Sequence, residues 1–272
     1  MNAGSTAPQR LAEITAGVWV ATSRRFATTS TVVLDGHGGA LVVDPAWDPD
    51  ELAAIPADLA SLGVRCAVGL ATHVHYDHVL WHPDLGEVPR YASPTTVRTV
   101  TDQRDAVLAP LVGDLPPELV AVAGRLVPLP AGPGPALLPW AGPEALLHPH
   151  DAHAPGHLAV ELTDRGVLLA GDMLSDLELP MPADEDDDLE TYRTGLEQLV
   201  PVVRRARLLV PGHGSPTDDP LARLDADRRY LDAVVSGRPV DDPRLGLPGM
   251  AELHAANVRR AARTGQEAAE GR

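Results

Sequence analysis

The sequence predicts a mixed α/β protein, and three observations carry that prediction. Short runs rich in Val and Leu, broken by Gly and Asp-Gly, have the character of strands. Stretches with apolar residues at helical spacing follow them, so helix after strand recurs along the chain. Four places join an apolar run of strand character to a side chain able to bind a metal: "VGLATHVHYDH", "DAHAPGHLAVEL", "GVLLAGD" and "LLVPGHG".

Taken in order, "GVWVATS" through "STVVLDGHGGALVVDPAWD" reads as strands and a hairpin with Asp-Gly at the turn. "DPDELAAIPADLASLG" has helical spacing and ends at Gly63, the expected stop. "VRCAVGLATH" returns to strand, giving a β-β-β-α-β opening. Later, "LAVELTDRGVLLAGD" reads as two strands joined by the turn "TDRG", "LETYRTGLEQLVPVVRRA" as a helix, and "ARLLVPGHG" as a further strand. Between these, residues 103–147 are rich in Pro, Gly, Leu and Ala. They read either as a variable loop or helical insertion over the active face, or as an irregular connection. From about residue 219 to 272, "RLDADRRYLDAVVSG" and "MAELHAANVRRAARTG" have helical spacing, with fraying expected at the last few residues.

Composition narrows the function classes. Hydrophobic residues at 44% and charged residues at 22% are those of a globular protein with a sizeable core. A formal net charge of −16, with the run "ADEDDD" at 183–188, repels a phosphate backbone, so nucleic acid is excluded as the expected partner. One cysteine, Cys66, lies in an apolar run: it forms no intramolecular disulfide, reads as a small buried hydrophobe and fits a reducing compartment. No apolar run approaches the roughly 20 residues that span a bilayer, and the first residues lack a signal-peptide pattern. The expectation is a cytoplasmic protein with no membrane partner. All 22 basic residues are arginine, which removes Schiff-base lysine chemistry and a P-loop lysine.

Three histidines and an aspartate occupy six positions, as His73, His75, Asp77 and His78. His73 and His75 alternate with Val74, so in an extended segment they project to one side, whereas Asp77 and His78 come after the chain begins to turn. One short loop then supplies two ligands to one cation and two to its neighbour. Neutral imidazole suits zinc, iron or manganese, and a carboxylate adds charge. For this stretch by itself a chance surface cluster is the competing reading; three further strand ends with metal-capable side chains weaken it, because strand ends lying side by side build sites at one rim.

"THVHYDH" resembles the HxHxDH signature of the metallo-β-lactamase superfamily, and "APGH", "AGD" and "VPGHG" resemble its later metal motifs, in the family's order, over about residues 15–216. The resemblance implies a four-layer αββα sandwich of two mixed β-sheets flanked by helices, as one domain over residues 1–272 with a helical C-terminal extension from about 219. It implies that His73, His75 and His157 bind a first metal, that Asp77, His78 and His213 bind a second, and that Asp172 bridges them. Asp44, in "LVVDPAWD", matches an early Asp that supports the metal loop from beneath; without the family it reads as a turn or cap residue. His148, His150 and His153 are further candidates, but His157 stands in the "PGH" context, so those three are read as supporting or exposed.

The implied chemistry is hydrolysis of a small-molecule ester, lactone, thioester or phosphodiester by hydroxide held between two divalent ions, zinc first with iron or manganese as alternatives. Asp77 and Asp172 are the implied catalytic residues, Asp77 ligating and also orienting the nucleophile or passing on its proton. A carboxylate at 172 is unlike the lactamase branch and nearer the glyoxalase II, lactonase and phosphodiesterase branches. The tyrosine that lactonases carry shortly after this Asp is replaced by Ser175, the glutathione-binding end of glyoxalase II has no match, and the acidic charge opposes a nuclease. Trp81, His82 and Trp140 are candidates to line a substrate pocket, with core packing as the competing reading for the two tryptophans. Tyr76 is expected to point away from the metals, and Tyr192 and Arg193 read as rim contacts or as a solvated helix face. A persulfide dioxygenase with one iron is the alternative enzyme, and a metal-binding sensor without turnover the third reading; oligomeric state is left open.

Overall fold

The computed structural model describes residues 11–130, 134–182 and 189–270, the side chains of 264–270 apart. The chain divides into two compact units, Met1–Ala131 with Leu138–Glu144, and Gly132–Leu137 with Ala145–Arg272.

The first unit is built on a seven-stranded sheet in chain order: β1 (Ala12–Thr15), β2 (Val18–Thr22), β3 (Thr29–Leu34), β4 (Gly39–Val43), β5 (Arg65–Leu70), β6 (Arg90–Ala92) and β7 (Val127–Pro128). The pairs β1–β2, β2–β3 and β3–β4 are antiparallel, and β4 through β7 run parallel, so the sheet is mixed. Asp35 closes the β3–β4 hairpin by accepting the amides of His37 at 2.6 Å and Gly39 at 2.8 Å. The crossover from β4 to β5 is the helix α1 (Pro49–Ser61), started by a capping box between Asp48 and Glu51 and followed by Gly63 at φ +72°. Its Ile55 and Leu59, one turn apart, pack with Val32, Val42, Cys66 and Trp81.

Within the 103–147 stretch, residues 104–123 contribute short helices and buried leucines to the core. After α2 (Pro94–Asp102) come α3 (Arg104–Leu108) and α4 (Pro117–Val122), and Leu108, Leu111, Leu115 and Leu119 are buried with Trp47, Leu52 and Leu80.

The second unit is built on a five-stranded mixed sheet: β8 (Ala136–Leu137), β9 (Ala145–His150), β10 (His157–Leu162), β11 (Val167–Gly171) and β12 (Leu208–Pro211), in the order β12-β11-β10-β9-β8. Only β11 and β12 are parallel, and α5 (Leu189–Arg205) connects them. Leu196, Leu199 and Val203 of α5 are buried with Leu168 and Ala170 of β11 and Leu209 of β12. The helices α6 (Pro220–Val235) and α7 (Met250–Glu270) add Leu224, Tyr230 and Leu231, with Leu253 and Ala261 against them. Tyr192 lies inside this cluster, and burial pushes its phenol well above its ordinary value; it is a core residue, not a rim contact. Arg193 is the solvated one, paired with Glu190 and Asp232.

A mixed sheet with helices packed on it in each unit is the α/β class that the sequence reading expects. The "ADEDDD" run and the chain ends lie outside the described residues. Among the described residues no helix is long and apolar enough to cross a membrane.

Candidate metal centre

In the first unit the site begins where two parallel strands end. Asp44 follows β4, and its amide donates to the carbonyl of Leu70, the last residue of β5, at 3.0 Å. Asp44 has φ +47°, a region that a non-glycine residue adopts only when held there. Its buried carboxylate is what the loop after β5 is tied to: Oδ1 accepts the Thr72 amide at 2.8 Å, and Oδ2 accepts the Thr72 hydroxyl at 2.6 Å and His78 Nδ1 at 2.9 Å.

These bonds assign protons. The Thr72 hydroxyl gives its one proton to Asp44, so it accepts from His73 Nδ1 at 3.0 Å. His78 likewise donates through Nδ1 to Asp44. Both rings are left with the Nε2 lone pair for a metal, the arrangement by which a supporting acceptor orients a metal-binding imidazole. His73 Nε2 lies 3.0 Å from His75 Nδ1. Two nitrogens bound at about 2.0–2.1 Å to one tetrahedral ion stand roughly 3.3 Å apart, so this pair fits a single cation. Asp77 Oδ2 lies 3.6 Å from His78 Nε2 and accepts the Thr28 hydroxyl at 3.3 Å. The loop therefore offers two pairs, His73 with His75 and Asp77 with His78, as the residue alternation expects. Tyr76 turns the other way, its ring edge-on to Trp47 at 5.9 Å.

In the second unit the donors stand at the ends of β11 and β12 and in the loop between β9 and β10. Asp172 Oδ2 lies 3.3 Å from His153 Nε2 and 3.3 Å from His213 Nε2, so one carboxylate oxygen lies between two imidazoles. His153 Nδ1 donates to the Met181 carbonyl at 2.8 Å, which again leaves Nε2 for a metal. The Ser175 hydroxyl donates to the His213 carbonyl at 2.7 Å. Gly212 makes this convergence sterically possible, because a Cβ there would collide with Asp172 Oδ1 and stand 2.9 Å from the Gly171 carbonyl carbon.

The "PGH" context implies His157 as a ligand, and the structure sets a second ring, His153, against the Asp172 carboxylate. His157 is fully buried, its Nε2 accepts the Asp172 amide at 3.1 Å, and its Nδ1 lies 3.1 Å from His150 Nε2. His157 thus contacts the main chain of Asp172, whereas His153 faces its carboxylate. His150 and His153 are both buried rather than exposed, and burial, then the neighbouring His153 and His148, lowers the His150 pKa to about 3. His148 Nε2 pairs with Glu161 at 2.8 Å.

The three residues expected at a pocket have these contacts. Trp81 is core, packed so closely that a Cβ on Gly69 would stand 2.7 Å from its ring, with its Nε1 donating to the Gly86 carbonyl at 3.3 Å. His82 Nδ1 caps a short 3-10 turn by accepting the Asp84 amide at 3.2 Å. Trp140 folds onto its own loop, its Nε1 donating to the Pro143 carbonyl at 2.9 Å. Burial raises the Cys66 thiol to about 12, an inert hydrophobe as its sequence context suggests. One residue that sequence reasoning passed over is Glu178: its carboxylate, that of Asp172 and a His213 ring nitrogen all lie within 4.8 Å of one another. Nothing in its spacing marks it.

Buried imidazole and carboxylate donors, several with their outer atoms tied to protein acceptors, fit divalent cations, and they stand in an α/β protein of two mixed sheets. The chain belongs to the metallo-beta-lactamase superfamily, whose family model matches residues 24–236. Solved structures share the fold. A metallo-beta-lactamase family protein from Thermus thermophilus is 20% identical at a TM-score of 0.64, covering 94% of this chain and 95% of its own. A metallo-beta-lactamase from Pontibacter korlensis is 18% identical at a TM-score of 0.61, covering 80% of this chain and 95% of its own. The DIM-1 metallo-beta-lactamase is 18% identical at 0.57, over 81% and 95%.

Proposed function

We propose that this protein is a hydrolase of a small-molecule ester, lactone, thioester or phosphodiester that works with two divalent ions, zinc foremost, in the cytoplasm. His73, His75 and His153 are the proposed ligands of one ion and Asp77, His78 and His213 those of the other, with Asp172 shared. His153 replaces His157 in this set on the ring geometry of the second unit. The observation that carries the reading is the Asp172 oxygen at 3.3 Å from each of two imidazole nitrogens, the disposition of a carboxylate that serves two ions. Family membership and the 3.0 Å His73–His75 nitrogen pair support it.

Bound divalent ions supply Lewis acidity and a water of lowered pKa. The chain supplies orientation. Asp44, Thr72 and the Met181 carbonyl each hold the outer nitrogen of a donor ring, so the inner nitrogens are preorganised. Asp77, whose Oδ2 accepts the Thr28 hydroxyl, is the proposed group to orient a water or accept its proton. A net charge of −16 favours a small substrate over nucleic acid.

The test is turnover by chelator-stripped protein resupplied with Zn2+ or Mn2+, on a panel of esters, lactones, thioesters and phosphodiesters. On whichever substrate is cleaved, Asp172→Asn and His73→Ala are expected to lower kcat by roughly 100-fold or more. Full turnover in either variant would refute the metal-dependent reading.

A further inference from the structure

We infer that Glu178 is a further carboxylate donor to the cation held by His213 and Asp172, and that it turns this position toward Mn2+ in preference to Zn2+. The inference rests on the metal-dependent reading above and adds a residue that the superfamily motifs in this sequence do not include.

Three observations support it, all within the second unit. The first is distance. Donor atoms of Asp172, Glu178 and His213 lie within 4.8 Å of one another. Donors bound to one ion at about 2.0–2.2 Å stand at most roughly 4.4 Å apart, so a small rotation of the Glu178 side chain brings all three into one coordination sphere. The second is charge. Two negatively charged side chains this close repel each other, and a cation bound between them removes that repulsion.

The third is the way the main chain of Glu178 is fixed. Its amide donates to the Ser175 hydroxyl oxygen at 3.1 Å, and that same hydroxyl donates to the His213 carbonyl at 2.7 Å. One serine thus registers Glu178 against His213. From the opposite side, Arg244 Nη1 donates to the Glu178 carbonyl at 2.8 Å and to the Ser175 carbonyl at 3.0 Å. Arg244 is itself buried and held by Asp227 at 2.7 Å and by Asp242 at 2.8 Å. Burying a guanidinium is unfavourable unless it is fully paired, and here its hydrogen bonds go to the loop that carries Glu178 and to two carboxylates that anchor it. The main chain at Glu178 is held in place, which keeps its side chain within reach of Asp172 and His213.

Two oxygen donors and one imidazole from this unit make a harder donor set than the two imidazoles His73 and His75 of the first. Carboxylate-rich sets suit Mn2+, whereas imidazole-rich sets suit Zn2+. Asp77 already makes the two proposed ion positions chemically unequal, and Glu178 adds a further oxygen donor to the harder one.

The test compares full-length wild type with Glu178→Gln, each stripped of metal, by electron paramagnetic resonance titration with Mn2+, by Zn2+ titration, and by metal content after dialysis against equimolar Mn2+ and Zn2+. The expected result is a loss of about 10–100-fold in Mn2+ affinity at one of two positions, a smaller change for Zn2+, and a lower Mn:Zn ratio. Melting of the metal-free proteins is expected to coincide, which separates a donor role from a structural one. Wild-type Mn2+ affinity and Mn:Zn ratio in Glu178→Gln would overturn the inference while leaving the metal-dependent reading intact. A wild type that binds neither ion would overturn both.

Discussion

Asp44 shows how much of the site depends on a residue that binds no metal. One buried carboxylate in a left-handed backbone accepts three hydrogen bonds and, through Thr72, assigns the proton of His73 as well as that of His78. An amide in its place turns a donor toward donors. Asp44→Asn is therefore expected to weaken metal binding by about 10–100-fold and to destabilise the fold by about 1–3 kcal/mol, read by metal titration and by urea unfolding. Unchanged affinity would show that the rings are oriented by something else. At this scale the cluster His73, His75, Asp77 and His78 was legible because a single loop carries all four at fixed alternation. His153 and Glu178 were not: "HDAHAPGH" holds several imidazoles within a few residues, and which ring faces Asp172 is decided by an amide and a carbonyl contributed from elsewhere. Trp81 likewise follows the metal loop in sequence but packs into the core.

Among the elements, β10 is the one that ties its neighbours together. Glu161 on β10 pairs with Arg205 at the end of α5 at 2.6 Å and with His148 on β9 at 2.8 Å. Arg205 first, and then His148, hold its carboxyl below the usual range despite burial. A lowered carboxylate pKa contributes stability that is present above its unfolded value and lost as pH falls through the folded one. Glu161→Gln is expected to be about 1–2 kcal/mol less stable than wild type at pH 7, with the gap closing as pH falls below about 4.5. A gap that persists at acid pH would mean that packing, not charge, is lost. Gly195 of α5 tests a different contact: a Cβ there would lie 2.6 Å from the Ala152 Cβ and 3.2 Å from its amide, next to His153. Gly195→Ala is expected to destabilise by about 1–3 kcal/mol in urea, and equal stability would show that helix and loop have room to spare. Long amphipathic helices and buried strands were legible from their periodicity. The edge strand β1 was not, since "AEIT" is polar and short, nor was β9, whose "ALLHPH" hides a strand behind a proline and two histidines.

For the whole molecule, the composition and the motifs converge on cation binding. A chain with 38 acidic residues against 22 basic ones gathers buried carboxylates and imidazoles at the ends of strands in both of its units. The class of the fold was legible because four strand ends carry metal-capable side chains in the family's order; the part that Leu108, Leu111, Leu115 and Leu119 play in the first core was not, because they sit in a stretch rich in Pro and Gly. What the protein binds is therefore the most direct question to put to it. The decisive measurement is the metal content of the protein purified under reducing, chelator-free conditions. About two zinc or manganese ions per chain is the expected result. One iron per chain, or no divalent metal at all, would contradict the proposal that these donors serve a binuclear hydrolase.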